Sequence, residues 1–186
     1  MRFIPDQCGH ILRTNENNSR TKCDVKLVER GFTPEMQSED DIASQITRGV
    51  SRYFRNLNNA VLTEMIFADG RRCDVITVDE NGVISIVEVK SSVADFRSDG
   101  KWPEYRQWCD LFYFAVLTSF PRELIPEDCG LILADSYGAD IFRDAPEDRL
   151  NAARRKALML RFARVAAFRL QDKNGSGPVS GSHCMN

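Results

Sequence analysis

The chain has 186 residues, 42% of them apolar and 28% charged, with 25 Lys and Arg set against 27 Asp and Glu for a net charge of -2. That is enough for one folded domain with a substantial core, and no apolar run approaches the ~20 residues that cross a bilayer, which excludes a membrane-spanning helix. The near-balance of charge gives no whole-molecule signal for a polyanionic partner, so any contact with one depends on local patches.

Residues 1–37 are polar, with a turn-like Asn15-Glu16-Asn17-Asn18-Ser19 and only Val25-Lys26-Leu27-Val28 strand-like, and they read as a loosely ordered extension. The start at Met1 shows no apolar signal-peptide segment, so the expected location is cytoplasmic. Ser38 followed by Asp41 signals a helix start, and Ile42, Ile46, Val50, Phe54 and Leu57 keep helical spacing to residue 57. Arg48, Arg52 and Arg55 fall on another side of that helix, where they can meet phosphates. A strand over 61–67 carries Glu64. Two further strands, 72–78 and 83–90, flank the reversal Asp79-Glu80-Asn81-Gly82. After a polar exit, Pro103 opens a helix through 109, on which Tyr105, Arg106 and Gln107 can reach a bound strand, while Trp102 and Trp108 suit core anchors.

The run 111–117 is a buried strand by composition, with Asp110 as a cap at its entry. Two more strands follow at 130–135 and 139–143, and a basic helix over about 150–170, with Arg154, Arg155, Lys156, Arg161, Arg164 and Arg169, closes the domain. The Gly/Ser-rich stretch 173–186 reads as a disordered tail, leaving 38–172 as the folded domain. The six cysteines show no paired metal spacing, and no repeat, phosphate loop or dinucleotide fingerprint appears.

The chemistry concentrates in the hairpin. Val83-Ile84-Ser85-Ile86-Val87-Glu88-Val89-Lys90 is apolar enough to have both faces covered, yet it carries an acid and a base two positions apart. If the chain folds back about Asn81, Asp74 stands opposite Glu88 with Cβ atoms about 5 Å apart. Lys90 then shares the face of Glu88 at about 6.6 Å along the strand. Two facing carboxylates repel each other and resist desolvation, and a divalent cation removes both costs. Hard oxygen donors without His or Cys favour Mg2+ or Mn2+ over zinc. Asp74 and Glu88 are therefore the metal and catalytic candidates, with Lys90 orienting water and offsetting charge on phosphate oxygens. The competing reading pairs Glu88 with Lys90 as a buried ion pair without catalysis.

This arrangement resembles the PD-(D/E)xK nuclease superfamily. More narrowly, Gly70-Arg71-Arg72-Cys73-Asp74-Val75, Ile86-Val87-Glu88-Val89-Lys90-Ser91-Ser92 and the segment from Asp95 through Lys101-Trp102-Pro103-Glu104-Tyr105 to Phe114 resemble the MmcB-like family of bacterial DNA repair proteins, assigned as endonucleases largely from their motif. The resemblance spans about 41–170. It implies an α/β restriction-endonuclease-like core, a central mixed β-sheet flanked by helices, and a metal-dependent nuclease acting on DNA in damage repair. Cys73 stands where the superfamily motif often has Pro, and the first helix offers only Gln45 where many relatives carry a metal-reaching acid. Glu64 is the better third carboxylate. Arg48, Arg52, Arg71, Arg72, Lys101, Tyr105 and Arg106 are the candidate nucleic-acid contacts. A repair-protein partner and a homodimer both suit such a domain. A binding module with lost or partner-dependent cleavage, and a structural adaptor whose charges are packed ion pairs, remain the alternatives.

Overall fold

The computed structural model describes residues 38–175. The expected N-terminal extension and the end of the expected tail, 1–37 and 176–186, lie outside the described residues.

Helix α1 (Glu39–Asn56) begins where Ser38 accepts a hydrogen bond from the Asp41 amide, and three acids fill its first turn, where the helix dipole favours negative charge. Six strands follow: β1 (Ala60–Ile66), β2 (Arg72–Val78), β3 (Ile84–Lys90), β4 (Leu111–Val116), β5 (Gly130–Ala134) and β6 (Ala139–Arg143). They form one sheet in the order β1-β2-β3-β4-β5-β6. β1, β2 and β3 are an antiparallel meander, β3, β4 and β5 run parallel, and β6 returns antiparallel. Helix α2 (Val93–Ser98) and a 3₁₀ helix (Trp102–Trp108) fill the β3–β4 crossover, and α3 (Ala152–Lys173) ends the fold. Pro103 does open a helical segment, although its turns are 3₁₀ rather than α.

Both faces of the sheet are covered, which is why β3 and β4 read as almost continuous apolar runs. On one face Ile46, Val50 and Phe54 of α1 pack on Val75, Val87, Ala115 and Ile132. On the other, Ile76, Ile84, Ile86, Phe114 and Leu131 pack with Tyr105, Cys109 and Leu158. Trp102 lies against Phe112 and Phe114, and Trp108 stacks on Phe67 with ring centroids 5.2 Å apart, so both tryptophans anchor the core. Gly49 lets α1 sit this close to the sheet, because a Cβ there would overlap the backbone carbonyls of Asp135 and Gly138.

Two devices tie α3 to the sheet. Asp110, 2% exposed, accepts from the amides of Ile84 and Leu150 and from both terminal nitrogens of Arg155. Arg161 and Arg169 donate to the carbonyls of Ile66, Thr63 and Glu64 along β1, the outer strand of the sheet. The guanidinium groups thus satisfy acceptors that an edge strand would otherwise offer to another chain. The basic character of α3 therefore serves docking at several of its arginines. No described helix is long and apolar enough to cross a membrane.

Candidate metal centre

Asp74 and Glu88 meet where the β2–β3 ladder gives way to side-chain hydrogen bonds. Val75 pairs with Val87 and Ile76 with Ile86, a register symmetric about Asn81 that brings Asp74 level with Glu88. The Val89 amide donates to Asp74 Oδ2 at 2.8 Å, and the Asp74 amide approaches Glu88 Oε1 at 3.4 Å. Each carboxylate is thus held by the backbone of the neighbouring strand. Glu88 is only 4% exposed. Burial, then repulsion from Asp74, pushes its carboxyl up to about 9. Burial also raises Asp74, outweighing the Val89 amide and the nearby charges of Lys90 and Arg72.

Neither carboxylate has an ion-pair partner among the described residues. Lys90 is 5% exposed, and its Nζ lies 2.6 Å from Asp99 Oδ2 and 4.0 Å from Asp95 Oδ1. Burial alone would lower the Lys90 ammonium, but the hydrogen bond and charge of Asp99, with Asp95 and Glu88, raise it and keep it protonated. The buried Glu88–Lys90 pair expected of a purely structural hairpin is not formed. These groups line an open cleft of about 1590 Å³ that also takes in Ser44, Thr47, Arg48, Ser51, Arg52 and Arg55 of α1.

A family model described as DNA repair protein MmcB-like matches residues 30–176. The chain belongs to the MmcB-like family. Its mixed sheet flanked by helices is the architecture of the PD-(D/E)xK superfamily, to which that family belongs. A solved structure of a protein of unknown function from Silicibacter pomeroyi is 41% identical, with a TM-score of 0.69 over 77% of this chain and 97% of that one. None of the curated proteins matches.

In this MmcB-like chain Glu64 occupies the β1 position level with Asp74, between the pairs Thr63–Val75 and Met65–Cys73. Its backbone is left-handed, with φ 50°, and leaves the ladder there. Its side chain, 63% exposed, pairs with Arg72 at 3.2 Å rather than with the two carboxylates. Among the described residues no group of three His, Cys, Asp or Glu is gathered as a metal cage.

The candidate nucleic-acid contacts divide in two. Arg48, Arg55 and Lys101 line the cleft, and their side chains make no hydrogen bond or ion pair with other described residues. Arg52 and Arg72 line it too, with Arg52 donating to the Tyr137 carbonyl. Tyr105 lines it from a buried position, its hydroxyl donating to the Arg72 carbonyl at 2.8 Å. Arg71 is paired with Asp69 and Glu104. Arg106 lies over the Trp102 ring and pairs with Asp128 at 2.8 Å, away from the cleft lining.

Sequence reasoning missed Asp95 and Asp99 as partners of Lys90. The only signal was their position in the polar stretch just after β3, where any acid could equally face solvent. Glu39 and Asp40 at the start of α1 also line the cleft, as acids on the helix where only Gln45 was considered.

Proposed function

We propose that this MmcB-like protein is a Mg2+- or Mn2+-dependent deoxyribonuclease that hydrolyses phosphodiester bonds in DNA damage repair. The observation that carries this reading is the pair of facing, backbone-held carboxylates, Glu88 buried and Asp74 half-buried, whose neighbouring lysine is paired elsewhere. Leaving two such groups together without a cation is poor construction for stability alone. The donor set fits: two hard oxygen ligands beside an open polar cleft suit an ion that keeps several waters and takes one or two carboxylates. A cation held by Asp74 and Glu88 would polarise the phosphodiester and make a bound water more acidic.

The chain's own residues supply the rest. Lys90 places a fixed positive charge beside the carboxylates, able to offset charge that grows on phosphate oxygens. Arg48, Arg55 and Lys101 give the cleft cations for the DNA backbone, and Arg52 and Arg72 add to them. Glu64 is a candidate third ligand, needing only to release a largely exposed pair with Arg72, which stabilises by at most about 1 kcal/mol.

A second reading, a nucleic-acid-binding module on the same fold that does not cut or that requires a partner, draws on the lack of a gathered three-residue cage among the described residues. Cleavage of labelled single-stranded, duplex, flapped and junction DNA separates the two. The nuclease reading requires cutting with Mg2+ or Mn2+ that stops with chelator and in Glu88→Gln. Binding without cutting by folded protein across the panel supports the module.

A further inference from the structure

Lys90 has several carboxyl groups to choose from. Glu88 lies two positions back on the same strand, Asp74 is bonded to the intervening Val89 amide, and the lysine stem is long and flexible. The ammonium nevertheless forms its ion pairs with Asp99 and Asp95 and with neither hairpin carboxylate.

Both partners are fixed by their own surroundings. Asp99 caps the C-terminus of α2, and its Oδ1 accepts from the Lys101 amide at 3.0 Å while Oδ2 takes the lysine. Asp95 accepts from the amide and hydroxyl of Ser91 through Oδ2, and its own amide donates to Ser92 Oγ. The segment from Ser91 to Lys101 therefore forms a clasp with acids facing Lys90. A buried ammonium that loses its closest anion turns to the next available one. Here Asp95 holds it only at 4.0 Å, and the other carboxyls at hand are Glu88 and Asp74, whose ionised forms the Lys90 charge favours, so an ammonium drawn to them competes directly with a metal ion.

We propose that Asp99 is a positioning residue of this site, drawing the Lys90 ammonium aside so that Asp74 and Glu88 stay open to a divalent cation. The inference rests on the metal-site reading above.

The test is calorimetric titration of the full chain with Mn2+ alone, for wild type, Asp99→Asn, Asp99→Glu, Lys90→Met and the Lys90→Met/Asp99→Asn double variant, each checked for folding by circular dichroism. Asp99→Ser replaces the Asn variant if that one does not fold. Asp99→Asn should weaken Mn2+ binding roughly 10–100-fold. Asp99→Glu should recover most of the affinity. The double variant should bind as Lys90→Met does, because Asp99 acts through the lysine. Wild-type affinity in Asp99→Asn, or an equal loss when Lys90 is already Met, overturns the inference while leaving the metal site standing. No Mn2+ binding by the wild-type chain overturns the metal site itself and the inference with it.

Discussion

At the scale of the residue, Glu88 makes the stability of the metal-free protein depend on pH. Burial and the repulsion of Asp74 push its carboxyl up to about 9 in the fold, against 4.5 for an ordinary glutamate. Between those values the folded chain holds a proton that the unfolded chain has released. Stability therefore falls as pH rises through the window, and Asp74, also raised, adds to the same trend. Urea midpoints of the metal-free protein should drop from about pH 5 to about pH 8.5 by this linkage. Glu88→Gln should flatten the slope and be the more stable form at the alkaline end. The facing of Asp74 and Glu88 was legible from sequence, because a period-two apolar pattern and a turn at Asn81 leave one register. The partner of Lys90 was not, since Asp99 reaches it only through the path of a short helix that no local pattern encodes. Nor does sequence reveal the left-handed backbone at Glu64, a conformation that glutamate rarely adopts.

At the scale of the element, α3 is held by the Asp110 hub and by arginines on β1. Asp110 serves two amides and a guanidinium from a nearly inaccessible position. Asp110→Ala leaves those donors without an acceptor and should cost roughly 3–5 kcal/mol in urea unfolding. Burial works to raise its carboxyl, but Arg155 and the two amides together hold it below the usual range. Its contribution is consequently present above the ordinary aspartate value and lost as pH falls through the folded one, opposite in sign to Glu88. The cap role of Asp110 was readable from its place before a strand. Its bond to Arg155 was not, because 45 residues separate them. The helix, strand and turn signals gave most elements within a few residues, for example β4 at Leu111–Val116 against an expected 111–117. The crossover came out as α2 and a 3₁₀ helix because its packing depends on Trp102, Tyr105 and Trp108 reaching rings on the sheet and its edges.

At the scale of the whole molecule, a net charge of -2 conceals an uneven distribution. Arg154, Arg155, Arg161 and Arg169 of the most basic helix donate to protein carbonyls or carboxylates, whereas Arg48, Arg55 and Lys101 face the cleft without such partners among the described residues. Composition marks α3 as strongly basic but not as engaged, since a run of arginines does not show which carbonyls will receive them. Salt titrations of DNA binding should separate the two sets. Arg48→Ala or Arg55→Ala should reduce the slope of log affinity against log salt by about 1 each. Arg161→Ala should leave that slope unchanged and lower the melting temperature instead.

On the reading proposed above, Asp74 and Glu88 form a cation site kept partly protonated until the ion arrives. Calorimetry of Mn2+ binding near pH 7 in two buffers of different ionisation enthalpy tests it directly. Binding should release about one proton per ion in the wild type, and Glu88→Gln should weaken binding and abolish that release. Absence of binding, or the same proton release from Glu88→Gln, would contradict the account.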